Sequence, residues 1–352
     1  MEKVRIKDIA AIAGVSPGTV DRVIHNRGNV SEKARQRVLE VMQELNYQPN
    51  IIASTLAYNR TFRLAIMTPS PKHDSYWELP YSGITKAWNN VKHYGVVIDE
   101  YFYHPRLEAS FQARAKQVLQ DRPDAILLAA ETEKESLDFI HSCLKKNIQC
   151  MLINTLLESP DIIGYVGQDS FQSGILAAKL LSSVIEPSDY LLIIHAEEYF
   201  EQSRHLVEKE LGFRQFMEQH SNPKVEHLVF NNHHEDYIQM ELSDFVNQHG
   251  VPGGIFVSNS RGHLIAQALN NLNIHTNIVG FDLIEPNIRL LNEGSILYLI
   301  NQNAELQGYY ALMSIVNKCI LKKEVPARHF LPIDIVVPEN VSYYLDTMRW
   351  IT

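Results

Sequence analysis

The chain has 352 residues, 45% of them hydrophobic and 21% charged, with 32 Lys/Arg against 41 Asp/Glu and three cysteines. That length and apolar content support folded domains with sizeable cores and exclude a disordered or collagen-like polymer. No apolar run is long enough to cross a bilayer, and the first residues lack the apolar core of an export signal, so a cytoplasmic protein is expected. Cys143, Cys150 and Cys319 show no CxxC spacing, which suits a reducing compartment.

Residues 4–30 read as two short helices around the tight turn Ala13-Gly14-Val15-Ser16, a helix-turn-helix. Ile6, Ile9, Ala10 and Ala13 recur at helical spacing and give the first helix one apolar stripe. Gly14 supplies a sharp turn, Ser16 an N-cap, and Pro17 a first helical residue whose missing N–H costs nothing there. In the second helix Val20, Val23 and Ile24 face inward, leaving Ser16, Thr19, Asp21, Arg22 and His25 as candidate DNA contacts. Ser31 caps a third helix with Ala34, Val38, Val41, Met42 and Leu45 on one face. Three helices closing at Tyr47 define a headpiece over 1–48, near the lower size limit for an independent domain.

Charge divides along the same boundary. Residues 1–60 hold nine Lys/Arg against six Asp/Glu, leaving 23 against 35 for the remainder. A basic end on an acidic chain places the polyanion-binding surface on the headpiece. Residues 49–60 follow as a linker containing Asn50, Ala53 and Leu56. A segment this short holds no helix in water without a packing partner.

Over 4–60 the chain resembles the headpiece and hinge of the lactose/galactose repressor family. The matching elements are Asp8-Ile9-Ala10, Ala13-Gly14-Val15-Ser16, Thr19-Val20, Arg22-Val23, Val30-Ser31, Leu45-Asn46-Tyr47-x-Pro49-Asn50 and Asn50-x-x-Ala53-x-x-Leu56. The resemblance implies a homodimer on a pseudo-palindromic operator. Its two hinges would fold against each other over the minor groove, Ala53 allowing close approach and Leu56 wedging between base pairs. The recognition helix departs from many relatives by opening with Pro17 and Gly18, neither of which can make a bidentate base contact. Readout therefore leans on Arg22, which can pair with a guanine edge; Asp21 either accepts from a cytosine amine or orients Arg22.

From residue 61 onward, strand-like runs at 63–68, 96–101, 125–130, 150–156, 191–195, 227–230, 254–258 and 278–281 alternate with helical patterns. Those patterns include 107–120, 137–146, 174–184, 207–219, 237–248 and 263–272. This is the signature of α/β units wound on parallel sheets, and its length calls for two lobes. Residues 61–352 also resemble the two-lobed, periplasmic-binding-protein-like (type I) effector and dimerisation domain of the same family. The anchors are Tyr76-Trp77, Gly83-Ile84, Gly167-Gln168-Asp169, Gly174, Gly212-Phe213, Ser258-Asn259-Ser260, Val279-Gly280-Phe281-Asp282, Asn301-Gln302 and Gly308. The resemblance puts lobe crossovers near 168, 302 and 332 and a ligand at the carboxyl ends of the strands.

A small polar effector, a sugar, fits the residues near those ends. Tyr76 and Trp77 offer aromatic faces, while Asn154, Asp169, Asn259, Asp282 and Gln302 offer hydrogen bonds to hydroxyls. Lys209 stands where relatives usually carry an arginine before the Gly-aromatic pair. Lysine is a point donor rather than a planar fork, so Arg204 or Arg261 could take that contact.

No catalytic motif emerges: there is no GxSxG elbow and no Gly-rich phosphate loop. The run His233-His234-Glu235-Asp236 lacks the spacing to converge on one metal, and no cofactor is expected. The reading is a ligand-responsive, DNA-binding transcriptional regulator, a repressor rather than an enzyme. Rival readings are a solute-binding protein for sugar transport, which would need an export signal and no headpiece, and a sugar-modifying enzyme, which would need a convergent acid/base pair.

Overall fold

The computed structural model describes residues 5–24, 28, 30–45, 61–105, 107–130, 132–159, 162–186, 190–197, 200–220 and 223–350, with side chains as far as Asp346. The chain divides into two compact units, 1–60 and 61–352.

In the first unit, α1 (Ile6–Ala13), α2 (Pro17–Ile24) and α3 (Glu32–Glu44) enclose a core of Ile9, Ala10, Val20, Val23, Val38 and Val41. Gly14 ends α1 at φ 67°, the left-handed conformation that a side chain resists. Ser31 caps α3 by accepting the Ala34 N–H at 3.4 Å. The apolar stripes read from the sequence thus meet at one small core.

The second unit holds two six-stranded sheets. The first is built from β1 (Phe62–Met67), β2 (Val96–Glu100), β3 (Ala125–Ala129), β4 (Gln149–Ile153) and β5 (Gly164–Gly167). Its helices are α4 (Glu78–Val91), α5 (Glu108–Asp121) and α6 (Glu133–Lys145). The second is built from β6 (Leu191–His195), β7 (Val225–Val229), β8 (Gly254–Val257), β9 (Asn277–Phe281) and β10 (Tyr298–Asn301). Around it lie α7 (Ser170–Ser182), α8 (Arg204–His220), α9 (Glu235–His249), α10 (Gly262–Asn271) and α11 (Glu285–Asn292). All these strands pair in parallel, with order 2-1-3-4-5 in lobe 1 and 7-6-8-9-10 in lobe 2.

The chain then returns. Helix α12 (Ala304–Ile315) packs its Ala304, Ala311 and Leu312 into the lobe 1 core, and β11 (Arg328–Phe330) adds to the edge of that sheet beside β5. Strand β12 (Asp334–Val336) closes lobe 2 antiparallel to β10, and α13 (Val341–Trp350) lies on the same lobe. The chain therefore passes between lobes after Gly167, Asn301 and Phe330. The Gln168 side chain donates to the Asn301 carbonyl at 3.3 Å, and the Leu331 N–H donates to Gly167 at 2.8 Å, so the crossings lie side by side.

Four strands have no counterpart in the hydrophobic pattern: β5, β10, β11 and β12. The first two span four residues and the last two only three, too few to display a period. Elsewhere the sequence runs overshoot: the run 150–156 stops as a strand at Ile153, because Asn154 turns left-handed at φ 65°.

Candidate functional site

On the headpiece, the start of α2 is fixed locally. Ser16 Oγ accepts the Thr19 N–H at 3.1 Å and lies 2.9 Å from Thr19 Oγ1, so both hydroxyls are tied into the cap. Arg22 is exposed on the helix, and Asp21 beside it is half-buried. His25, Asn50, Ala53 and Leu56 lie outside the described residues.

In the larger unit a cleft opens between the lobes at the carboxyl ends of both parallel sheets, with an empty volume of about 770 Å³, part of it open to solvent. Lobe 1 presents Asp74, Tyr76, Trp77 and Asn154; lobe 2 presents Glu197, Lys209, Asn259, Arg261 and Asp282; Gln302 enters from the second crossing. Tyr76 and Trp77 meet edge to face at 5.2 Å, and the Tyr76 hydroxyl donates to Asn154 Oδ1 at 3.1 Å.

The polar floor is buried. Asp282 follows β9 at φ 71°, and this left-handed turn occurs directly at the cleft. Both its carboxylate oxygens accept from Gln302 Nε2 at 3.0 Å. Lys209, 1% exposed, donates to the Ser258 carbonyl at 3.0 Å and to Gln302 Oε1 at 3.4 Å. Its ammonium also sits 3.6 Å from the Phe281 ring centroid, a cation–π contact. Burial pushes the Asp282 carboxyl up to about 7 against the pull of Lys209, and pushes the Lys209 ammonium down to about 8. Burial, with Lys209 adding to it, holds His205 at about 3, hence neutral.

Behind this floor lies a closed chain of polar groups. His195 is fully buried, with Nδ1 2.8 Å from Ser258 Oγ and Nε2 2.7 Å from Glu210 Oε2. Arg214 Nε donates to Glu210 Oε1 at 2.6 Å. Burial pushes Glu210 up, but the hydrogen bonds from His195 and Arg214 outweigh it and hold the carboxyl near 2. Burial also lowers His195 against the pull of Glu210. A neutral imidazole with its proton on Nε2 satisfies every partner: it donates to Glu210 and accepts from the Ser258 hydroxyl. The order serine–histidine–carboxylate matches that of a nucleophile and its base. Ser258 has no exposed surface, however, so substrate cannot reach it.

The rim carries bonds from lobe to lobe. Arg261 Nη2 reaches Asp74 Oδ2 at 3.2 Å, while its Nη1 donates to Glu197 Oε2 at 2.9 Å and to the Ala196 carbonyl at 2.8 Å. Thr155 Oγ1 lies 3.1 Å from His205 Nδ1, and Arg204 Nη1 lies 3.3 Å from Glu133.

Of the ten residues expected to hold effector, the structure gathers Tyr76, Trp77, Asn154, Lys209, Asn259, Arg261, Asp282 and Gln302 around the cleft. Two sit elsewhere. Asp169 spends its carboxylate capping α7, accepting the Gln172 N–H at 3.0 Å. Arg204 pairs with Glu208 and Glu133 away from the cleft wall. Three titratable lining residues were not expected: Asp74, Glu197 and His205. Glu197 had a signal, a charge placed two residues after the wholly buried strand Leu191–His195. His205, near the start of α8, had none.

The comparisons agree with this geometry. Residues 64–323 match the periplasmic binding protein domain, and residues 5–50 match the lacI family of bacterial regulatory proteins. The HTH-type transcriptional regulator DegA of Bacillus subtilis is 29% identical over 259 residues, 73% of each chain. The sucrose operon repressor of Streptococcus mutans is 26% identical over 354 residues, 96% of this chain and 99% of that one. A solved structure described as a putative LacI transcriptional regulator from Bacteroides fragilis superposes with TM-score 0.77 at 25% identity, covering 81% of this chain and all of that one. Helix-turn-helix headpiece and two-lobed binding unit together place the chain in the LacI family of transcriptional regulators, with an effector unit of the periplasmic binding protein family.

Proposed function

We propose that this regulator is a cytoplasmic homodimeric repressor whose affinity for a pseudo-palindromic operator is set by a sugar bound between the lobes. The observation that carries the reading is the cleft itself. Two aromatic faces stand opposite a buried Asp282–Gln302–Lys209 array, the pairing of apolar face and hydrogen-bonding groups that a ring bearing hydroxyls requires. The name of the sucrose operon repressor supports a carbohydrate. Binding that reorients the lobes would alter the paired hinges, and couplings of this kind are worth about 1–3 kcal/mol, or roughly 5- to 150-fold in operator affinity. The chain acts by binding and not by turnover: its serine–histidine–glutamate chain is sealed, and Asp282 is committed to Gln302. On the headpiece Arg22, Asp21, Thr19 and Ser16 face the operator, with Arg22 reading a base.

The test is a gel shift on the DNA upstream of the gene, with and without a monosaccharide and disaccharide panel, alongside light scattering for the dimer. Arg22→Ala should weaken binding mainly at one base pair per half-site, and Asp282→Asn should abolish the sugar response while leaving DNA binding intact. Absence of DNA binding by the intact chain at low salt overturns the reading.

A further inference from the structure

Among the described residues, the cleft wall is short of available positive charge. Its cations among the described residues are Arg261 and Lys209, and its carboxylates are Asp74, Glu197 and Asp282. Arg261 is engaged at both of its terminal nitrogens. Nη1 is held by Glu197 and the Ala196 carbonyl, and Nη2 by Asp74. Lys209 is buried behind Gln302, donating to that side chain and to Ser258, with the Phe281 ring beneath it. An arriving phosphate or carboxylate would have to share Arg261 with two carboxylates or displace Gln302 from Lys209. In either place it would lie against acidic neighbours in a site of low dielectric, where like charges repel strongly. Hydroxyl groups meet no such barrier, because the carboxylates and amides offer acceptors and donors without a change of charge.

We infer that the cleft is a charge filter: it takes an uncharged polyhydroxylated ligand and rejects the phosphorylated or carboxylate form, with Glu197 and Asp74 excluding anions by occupying Arg261. This rests on the effector reading above. It assigns specificity to two residues whose part is to neutralise a third. Of the pair, Glu197 bonds Arg261 within lobe 2, whereas Asp74 bonds it across the lobes, so the two can be separated by substitution.

The experiment uses the full chain in thermal-shift and calorimetric titrations at fixed ionic strength, since a ligand that binds only the folded state raises the midpoint. The probes are inorganic phosphate, glucose 6-phosphate, gluconate, and a neutral panel of glucose, galactose, ribose and sucrose. Wild type should respond to none of the anions. Glu197→Gln, which leaves the cross-lobe bond in place, should gain affinity for phosphate or glucose 6-phosphate. Asp74→Asn/Glu197→Gln should gain more, about tenfold or greater over wild type. Glu133→Gln, which removes a carboxylate paired with Arg204 outside the cleft, should gain nothing. Stabilisation of wild type by any anionic probe overturns the filter, and so does the lack of any anion gain in both Glu197 variants. A neutral panel that leaves wild type unmoved while the variants gain phosphate binding would count against the sugar reading and leave the filter standing.

Discussion

In lobe 1 the fourth strand ends at Ile153 and Asn154 turns left-handed into the cleft; in lobe 2 the equivalent strand ends at Phe281 and Asp282 does the same. Each lobe also clamps one helix pair through two glycines. A Cβ on Gly83 or Gly308 would strike the backbone carbonyl of Glu305 or Pro80, joining α4 and α12. A Cβ on Gly174 or Gly212 would strike that of Lys209 or Phe171, joining α7 and α8. The architecture is duplicated, and the chemistry is not. Lobe 1 brings two aromatic rings, an amide and one carboxylate, Asp74, to the cleft, whereas lobe 2 brings Glu197, Lys209, Arg261 and Asp282, with the buried His195–Glu210 chain behind them. One backbone plan thus supplies the aromatic faces from one side and most of the charge from the other.

The largest expected break in that comparison is Glu210→Ala. It strips the partner from buried His195 and from Arg214, and removing one member of a buried ionic network costs about 3–5 kcal/mol. In lobe 1, Glu305→Ala removes a buried carboxylate and should cost less, about 1–2 kcal/mol, because its partner Lys86 is 18% exposed whereas His195 has no exposed surface. Denaturant melts of both variants check the ranking; equal losses would mean that the polar chain of lobe 2 carries no special weight.

Gly212→Ala and Gly308→Ala test the shared plan instead. Each added methyl meets backbone, which cannot rotate away, so the helices must part. Overpacking of this kind costs about 1–3 kcal/mol, and the two losses should be alike. A large loss in one lobe and none in the other would show that only one helix pair is tightly docked.

These glycines show what the sequence could and could not reveal. Gly83, Gly174, Gly212 and Gly308 stood out as family anchors, yet their pairing across helices is a fact of three dimensions that no local period encodes. The long apolar strands were readable because β3 and β6 are buried along their whole length. Asp282 was readable as a polar residue at a strand end, whereas Gln302 and Asp169 stood out only as family anchors, since β10 and β5 leave no pattern. Asp169 misled, because the helix beginning at Ser170 needs a cap and takes its carboxylate. Asp74 caps the short turn Ser75–Trp77, so nothing in its neighbourhood announced a second bond to Arg261, 187 positions away.

Titration should separate the lobes with a smaller effect, because its contributions partly oppose. His205, held at about 3, contributes stability that is lost as pH falls from about 6.5, its unfolded value. Glu210, held near 2, adds a loss below about 4.5. Asp282, raised to about 7, works the other way, costing stability as pH rises from 3.8 toward 7. All three belong to lobe 2. In lobe 1 burial is the main cause that raises Tyr81 and Tyr101 to about 12, so their contribution is lost as pH climbs from 10 to 12. Lys209, lowered to about 8, regains stability for lobe 2 between about 8 and 10.5. Acid should therefore loosen lobe 2 first and alkali lobe 1. Trp77 and Trp88, both in lobe 1, report on that lobe in a Trp350→Phe background. Their fluorescence should melt after the circular dichroism at low pH and before it at high pH. Coincident transitions at both extremes would make the lobes one cooperative unit.

The smallest effect lies on the headpiece, where Gly18 occupies the second position of α2. A Cβ there would meet only Ser16 Oγ, at 3.8 Å, in ordinary contact. Replacing glycine by alanine in a helix gains about 0.5–1 kcal/mol, mostly by narrowing the unfolded chain, and Gly18→Ala should raise the headpiece melting point accordingly. The same methyl adds no hydrogen-bonding group, so base preference in a gel shift should stay unchanged. A changed preference would instead mean that the operator approaches the backbone closely at Gly18, and that the missing side chain is itself part of recognition.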